Sequence, residues 1–219
     1  DTTALTPEAL DSLRERTRGA VLLPGEPGFA EATRVWNGMI DKTPAVVVQA
    51  SGAADVVEAV RFASDRDLPV SVRAGGHNVG GTALTDGGLT IDMSRLRGVH
   101  VDPETQTATV QAGCLLGHVD REAQLHGLAT PLGFMSEVGV AGLTLGGGLG
   151  YLTRRFGWTV DNLLGVDIVT SLGAGQTFRV LDITGTRSGQ FAGLGEGALV
   201  GSFGGQNLFI TYAAGNGND

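Results

Sequence analysis

Short apolar runs and one helical stripe organise the first third of the chain. Val46–Val48 is a continuous apolar run, which is typical of a strand that is covered on both faces. Apolar residues then recur at Val56, Val60 and Ala63, the spacing of a single helix face. Ser51 stands just ahead of this stripe and is expected to cap the helix. The pattern predicts a strand followed by an amphipathic helix.

A second strand follows this helix after a short break. Pro69 prevents the helix from continuing, and Val70–Val72 resumes as a strand. The order strand, helix, strand predicts a βαβ unit whose two strands run parallel. Asp55 lies near the start of the helix, where the helix dipole favours a negative charge. Ahead of the unit, residues 8–18 are predicted to form a short charged helix, and residues 20–43, with their prolines and glycines, a loop.

The middle of the chain has a different rhythm, with short strands separated by turn residues. Leu89–Met93, Thr107–Gln111 and Leu163–Thr170 are predicted strands. Residues 115–126 have a helical pattern, which Gly127 is expected to end as a C′ glycine. Together with the βαβ unit, these elements predict an α+β fold.

The composition changes at residue 171. Beyond it the chain has few charged side chains and many glycines, and it predicts short β segments at 178–183, 198–203 and 208–212. This part is expected to be a separate β-rich appendage or an incomplete continuation of the preceding fold.

Length, charge and cysteine content narrow the possible classes of protein. A chain of 219 residues supports one large domain, or one domain with a small appendage. The net charge of −8 argues against a nucleic-acid or anionic-membrane surface, since both need clustered lysine and arginine. Cys114 is the only cysteine, so an intrachain disulfide is excluded. No signal peptide or membrane-spanning run is visible, which favours a cytoplasmic location.

The first candidate site is the segment Arg73–Asn78, which directly follows the second strand of the βαβ unit. Gly75 and Gly76 allow positive φ angles and let backbone N–H groups approach an anion closely. The arginine of the segment can add one cation, and its asparagine can bond a phosphate or a ribose. An acidic protein that binds a diphosphate is expected to use backbone amides in this way. The alternative is a tight turn that leaves His77 merely exposed.

The second candidate site is the segment 139–150, GVAGLTLGGGLG, which contains three consecutive glycines. Such a run is poor for any regular element, and it is common where another backbone or a flat ligand approaches within contact distance. The alternative is a loop whose glycines serve only close packing.

Several familiar chemical signatures are missing. The sequence has no GxGxxG, GxxxxGK or GxSxG pattern, which disfavours Rossmann dinucleotide sites, P-loop nucleotide sites and hydrolase chemistry respectively. His118, Asp120 and His126 do not predict a metal site, because eight residues separate the two histidines on a helix, where two turns span seven. Cys114 is expected to be a small buried residue at a strand end.

Three motifs in order and spacing carry a family resemblance: RAGGHN at 73–78, GLTIDMSRL at 88–96, and the stretch 138–170 that contains the triple glycine. Over residues 20–172 the chain resembles the FAD-binding domain of the vanillyl-alcohol-oxidase superfamily. Within it, the chain is similar to the berberine-bridge-enzyme-like oxidoreductases and the 6-hydroxynicotine oxidases. The resemblance implies a two-part FAD-binding domain, with a small βαβ-type subdomain and a mixed sheet with helices.

The resemblance also implies boundaries and a set of cofactor contacts. The N-terminal helix and lead-in occupy residues 1–40, the FAD-binding domain residues 41–172, and a β-rich, glycine-rich tail residues 173–219. In the family, backbone amides of the first loop wrap the FAD pyrophosphate, and the glycine-rich segment lies along the isoalloxazine. The implied cofactor-binding residues are Arg73, Ala74, Gly75, Gly76, His77, Asn78, Gly139, Gly142, Gly147, Gly148 and Val169.

The histidine that matches His77 is bonded covalently to the flavin 8α-methyl carbon in the family. A neutral imidazole nitrogen is a competent nucleophile for such a bond. Bicovalent members carry a second, cysteinyl link at the position of Met135, and methionine cannot make it. We therefore expect a single attachment, at His77.

The implied activity is hydride transfer from a C–H or C–OH carbon of a small organic substrate to the flavin, with O₂ as acceptor. The family's further FAD contact and its substrate domain have no counterpart after residue 170, so the chain is expected to be truncated, and no catalytic base is assigned. Tyr151 is expected to be packed rather than catalytic. Residues 189–219 weakly resemble the closing segments of β-helical bacterial surface passengers.

Two alternatives remain open on the sequence. One is a flavin-binding module without turnover, and the other is a structural β-rich surface protein. The flavin interpretation depends on one spatial prediction, that the turn after Val72 and the triple-glycine stretch converge around a single nucleotide. The strands that a truncated FAD-binding domain lacks would leave a sheet edge uncovered unless residues 171–212 pair with that edge.

Overall fold

A computed structural model describes residues 5–171 of the chain and, beyond them, three strand segments of the backbone. The helices are α1 Pro7–Arg16, α2 Phe29–Ala32, α3 Ala53–Ser64, α4 Leu116–Gln124, α5 Val140–Leu145 and α6 Thr153–Phe156, followed by a 3-10 turn at Val160–Asn162. The strands are β1 Ala20–Leu22, β2 Val46–Gln49, β3 Val70–Arg73, β4 Leu89–Asp92, β5 Val99–Asp102, β6 Thr107–Val110, β7 Gly165–Thr170, β8 Thr177–Arg179, β9 Ser202–Phe203 and β10 Gln206–Ala213. The α+β prediction is confirmed.

The predicted βαβ unit is present, but a later strand lies between its two strands. The sheet has the order β1-β2-β4-β3, and both β2 and β3 pair parallel with β4. All four residues of β4 are buried, which suits the central position of a sheet that is covered on both faces. Val46 and Val48 face the main core with α3, whereas Val47 packs on the other face against α2. The prediction of a strand covered on both faces is confirmed.

Asp55 lies in the first turn of α3, as the sequence suggests, and it has a further structural role there. It is 2% exposed and accepts hydrogen bonds from the backbone N–H groups of Arg18 (2.8 Å) and Gly19 (3.0 Å), just before β1. It also accepts from the Ser51 backbone N–H and hydroxyl, each at 2.8 Å. The prediction that Ser51 caps α3 is wrong: Gly52 holds that position, and the Ser51 hydroxyl is occupied by Asp55. Asp55 therefore ties the start of β1 to the β2–α3 turn.

Short elements in the glycine- and proline-rich stretches differ from the expected loops. Residues 20–43 contain β1 and α2, and the glycine-rich segment contains α5. β5 was also not expected, and it forms an antiparallel hairpin with β6. Each of these elements has six residues or fewer, so it is stabilised by its tertiary partner rather than by a periodic pattern of its own.

The end of α4 follows the sequence closely. Gly127 has φ +67°, its N–H donates to the carbonyl of Gln124, and the N–H of Leu128 donates to that of Ala123. These two bonds define a Schellman motif, so the prediction of a C′ glycine is confirmed.

Strands beyond residue 171 pair with β7. β10 is antiparallel to β7 from Leu208–Thr170 to Ala213–Gly165, and β8 pairs with the other edge of β7. β9 pairs with β10 in turn. The β segments predicted at 178–183 and 198–203 lie largely outside the described residues, and 208–212 falls within β10. Both edges of β7 are thus paired with strands from beyond residue 171, the part of the chain that was expected to cover an otherwise open sheet edge.

One continuous core joins the first sheet to β7 through α3. Residues from α3, β4, α4 and β7 belong to the same buried cluster, and Cys114 lies inside it with 0% exposure. Its thiol donates to the carbonyl of Gly98 (3.3 Å), and burial raises the pKa of the thiol to about 11. The prediction of a small buried cysteine is confirmed. Over the residues that the structure describes, no helix is long and apolar enough to cross a membrane.

The Asp55 contacts predict a pH-dependent contribution to stability. Burial acts to raise the pKa of this carboxyl, but the bonds from Ser51, Arg18 and Gly19 outweigh it and hold the pKa below its ordinary value. Asp55→Asn should therefore lower the free energy of unfolding at pH 7 by about 2 kcal/mol. A folded pKa below the unfolded one stabilises above the unfolded pKa, so the deficit should shrink as pH falls below about 4. Denaturant unfolding at several pH values measures it.

The control for this experiment is Asp11→Asn, which removes an aspartate whose side chain is 69% exposed. It should leave the unfolding free energy nearly unchanged. An Asp55→Asn protein as stable as the wild type at pH 7 would contradict the anchoring role.

Candidate functional site

The first candidate segment begins at the carboxyl end of the parallel strands, above a buried aspartate. Asp92 is fully buried and accepts hydrogen bonds from Arg73 Nη1 (2.9 Å), Gln49 Nε2 (3.0 Å) and both the N–H and the hydroxyl of Ser94 (3.0 Å each). The three strands β2, β4 and β3 end together at Gln49, Asp92 and Arg73. This network fixes the point from which residues 74–78 leave the sheet.

The guanidinium of Arg73 donates its hydrogen bonds to acceptors within the protein. Its Nη1 pairs with Asp92, while its Nε and Nη2 donate to the carbonyl of Arg34 at 3.2 and 3.0 Å. Its side chain is only 14% exposed. The geometry therefore gives Arg73 a role in holding the loop, and the further role as a cation for a cofactor stays a prediction.

The two candidate segments meet at a contact between glycine backbones. A Cβ on Gly75 would overlap the backbone nitrogen of Gly139, and a Cβ on Gly139 would lie 2.7 Å from the nitrogen of Gly75. Real Cβ atoms do not approach backbone this closely, so both positions require glycine. The first loop thus contacts the start of the second segment, just before α5, rather than its triple glycine.

The loop carries a run of backbone donors without protein acceptors. Within the described part of the chain, no group accepts a hydrogen bond from the N–H of any residue from 74 to 80. Gly76 within this run has φ +69°, a left-handed conformation that strains other residues. Consecutive free N–H groups around such a residue form a concavity that suits an anion. Asn78 adds a turn of its own, since its Oδ1 accepts from Thr82 N (3.1 Å).

His77 sits in this loop next to an aromatic residue that the sequence did not single out. Its imidazole is half-buried and stacks on the indole of Trp36, with ring centroids 5.8 Å apart and planes inclined by 22°. Trp36 lies in the stretch expected to be a plain loop. A single tryptophan in a stretch rich in glycine and proline gives no periodic signal, so only the tertiary structure shows the pairing.

Residues 34–42 fasten the loop at further points. Asn37 Nδ2 donates to the carbonyl of Val79 (2.8 Å), and Lys42 Nζ donates to the carbonyls of Gly81 (2.9 Å) and Leu84 (3.4 Å). Lys42 is the only lysine of the chain, and the structure assigns it to this structural contact.

The glycines of the second segment divide into two kinds. Gly147 and Gly148 have φ +103° and +75°, and added Cβ atoms would lie against Trp158 and Thr159, so local folding explains both. Gly142 lies within α5, is exposed, and would have nothing within 4 Å of an added Cβ. No contact in the described structure requires glycine there, although glycine weakens a helix.

Other predicted residues lie in varied surroundings. Val169 is 2% exposed in the middle of β7 and belongs to the core, so its cofactor contact stays a prediction. The expectation that Tyr151 is packed is wrong: it is 83% exposed and meets only the edge of Phe134, with centroids 4.8 Å apart. Tyr151 follows glycines on a surface turn, where no neighbour covers it. Met135, beside Phe134, is 56% exposed.

The histidines and the aspartate that the sequence set aside as metal ligands have other surroundings. His118 Nδ1 accepts from the backbone N–H of Leu115 (3.1 Å) and so caps α4. Burial, with smaller contributions from Arg97 and Arg121, lowers the pKa of His118. Burial raises the pKa of Asp120. Among the described residues, no group of three potential ligands is close enough to hold a metal ion.

Comparison with known families identifies the ligand class of the domain that contains this loop. The model of the FAD binding domain family matches residues 44–180, a range that includes both glycine segments. The chain belongs to the FAD binding domain family. Binding of FAD follows from this membership, and the match decides against the alternative of a structural surface protein.

Individual relatives agree with this assignment. The chain is 37% identical over 156 residues to (R)-6-hydroxynicotine oxidase of Paenarthrobacter nicotinovorans, covering 71% of this chain and 34% of that protein. It is 37% identical over 160 residues to an FAD-linked oxidoreductase of Dictyostelium discoideum, covering 73% and 35%. The chain thus spans about a third of the length of these curated relatives.

Solved structures show the same fold. The 6-hydroxy-D-nicotine oxidase from Arthrobacter nicotinovorans superposes with a TM-score of 0.72 at 35% identity, covering 75% of this chain and 36% of that one. The berberine-bridge-enzyme-like protein 1 of Physcomitrella patens superposes with a TM-score of 0.79 at 25% identity, covering 94% and 44%. The two-part FAD-binding fold expected from the sequence is therefore confirmed.

The different surroundings of the glycines predict opposite effects of alanine on stability. Gly75→Ala should destabilise the protein by about 2 kcal/mol or more, because its methyl group overlaps the Gly139 backbone. Gly142→Ala should leave the protein without FAD unchanged, or stabilise it by up to about 1 kcal/mol, because it improves a helix in open space. Thermal and denaturant unfolding of the protein without FAD measure both. Equal losses for the two variants would contradict the contact between the segments.

Proposed function

We propose that this chain forms the flavin-binding part of an FAD-dependent oxidoreductase that oxidises a small organic molecule. The observation that carries the proposal is the run of unpaired N–H groups at 74–80, in a loop locked by the Gly75–Gly139 contact. A chain with net charge −8 has no excess of cations for a pyrophosphate, so fixed backbone amides suit this anion.

The residues present fit FAD at both segments. The loop at 74–78 would hold the pyrophosphate through backbone N–H groups, with Asn78 at the exposed end. The bare surface above Gly142 leaves room for a flat ring at α5, and it explains a helical glycine that the protein's own packing does not require. Val169, Gly139, Gly147 and Gly148 complete the proposed set, the last two by shaping the turn after α5.

His77 is the proposed point of covalent attachment. Its ring nitrogens lie on a loop that would border the pyrophosphate, and the stack on Trp36 leaves the ring edge free. A link through this nitrogen prevents loss of the cofactor. Met135 cannot form a thioether, so we propose a single link.

The proposed substrate and acceptor are supported by the chemistry of FAD and by the activities of the relatives. When bound, FAD accepts a hydride from a substrate carbon and passes the electrons on. Among the relatives, one is an oxidase of (R)-6-hydroxynicotine and another of chitooligosaccharides. We propose a small organic substrate with an oxidisable C–H or C–OH carbon, and O₂ as the acceptor.

The link at His77 predicts a flavin that survives denaturation. Purified protein should be yellow, and after acid precipitation the pellet should retain flavin fluorescence. His77→Gln should remove the fluorescence from the pellet while yellow FAD still co-purifies, because the amide cannot form the bond but the loop amides remain. His126→Gln, at the exposed end of α4, is the matched control and should behave as the wild type.

Each result has a separate meaning for the proposal. Acid-released flavin from the wild type would contradict the covalent link alone. A colourless protein whose melting temperature does not change when FAD is added would contradict the binding site. A ligand that binds only the folded state must raise the melting temperature.

A further inference from the structure

Trp36 is a large aromatic side chain that core packing does not explain. Its side chain is 63% exposed, although tryptophan is usually well buried. Among the ring contacts of the described residues, its indole has one partner, the imidazole of His77. An exposed indole whose ring partner is the histidine of the cofactor loop points to a task at that histidine.

The backbone around Trp36 is fixed to the loop on both sides of His77. The N–H of Trp36 donates to the carbonyl of Gly76 (2.9 Å), immediately before His77. Asn37 Nδ2 donates to the carbonyl of Val79, two residues after it. The backbone that carries the indole is therefore held in a set place relative to the backbone that carries the imidazole.

Stacking restricts the imidazole without blocking its nitrogens. The indole stacks against one side of the ring, with centroids 5.8 Å apart, and so limits rotation about the side-chain torsions of His77. The lone pair that forms a bond lies in the plane of the ring, away from the stacked face. A nucleophile held in one orientation reacts faster than one that samples many.

We propose that Trp36 is a positioning residue, which holds His77 in the orientation from which its nitrogen bonds the flavin. The inference rests on the proposed covalent link. In that step a C–N bond forms while one C–H bond of the 8α-methyl group and the imidazole N–H bond break. The two protons and two electrons that this step releases go to O₂, which becomes H₂O₂.

The experiment separates FAD binding from bond formation. Protein without FAD is mixed with FAD, its equilibrium Kd is measured by flavin fluorescence, and acid-stable flavin is followed over time. Trp36→Ala should slow bond formation about tenfold or more while changing Kd less than about threefold, because only orientation is lost. Trp36→Phe, which keeps a stacked ring, should stay within about threefold of the wild-type rate. Leu125→Ala, which shortens an exposed apolar side chain just after α4, should match the wild type.

Other outcomes overturn the inference in distinguishable ways. A Trp36→Ala protein that forms the bond at the wild-type rate overturns it and leaves the proposed function intact. A Trp36→Ala protein that no longer binds FAD shows a role in the loop structure, and this also overturns the inference. Wild-type protein that binds FAD without a bond overturns both the link and the inference, and wild-type protein that binds no FAD overturns the proposed function itself.

A second measurement needs neither FAD nor a Trp36 variant. The chain has two tryptophans, so Trp158→Phe leaves Trp36 as the only indole emitter. An imidazole that stacks on this indole affects its emission, so the additional variant His77→Gln should change the intensity of Trp36 emission at a fixed pH. Emission that is independent of His77 would overturn the stacking on which the inference stands.

Discussion

The backbone contact between Gly75 and Gly139 is the constraint on which the rest of the site depends. Two chain segments separated by more than sixty residues approach so closely that neither can carry a Cβ atom. One segment follows the end of β3 at Arg73, and the other leads into α5. The contact therefore joins the first sheet to the glycine-rich half of the domain and sets the path of the loop that carries His77.

Charge placement explains how an acidic chain can hold an anionic dinucleotide. The arginine at the start of the loop is taken up by Asp92 and by the carbonyl of Arg34, so it contributes rigidity rather than a free charge. The donors that remain are backbone N–H groups, which are fixed by the fold and need no reorganisation. The same reasoning makes glycine more useful than lysine at this position. In the proposed site, glycine would let the backbone itself come within hydrogen-bond distance of a phosphate.

Sequence patterns could predict the elements that carry their own signals. Three features have local patterns that predict them. A continuous apolar run predicts the strand at Val46–Val48, which is buried on both faces. Helical spacing of apolar residues predicts α3, and a glycine predicts the left-handed C′ position at Gly127. The glycine motifs could predict the ligand class only through the family resemblance that their order and spacing carry. Ser51 was misassigned because its hydroxyl has two possible partners, and only the fold brings Asp55 to one of them. The role of Trp36 could not be predicted, because a stacking partner about forty residues away produces no periodic pattern in the sequence.

Amide chemical shifts of the protein without FAD, recorded by NMR while FAD is added, test the central claim most directly. The account predicts that the largest shifts fall on residues 74–80, and that riboflavin, which lacks the pyrophosphate, leaves most of them in place. FAD that binds while those amides do not move would contradict the account.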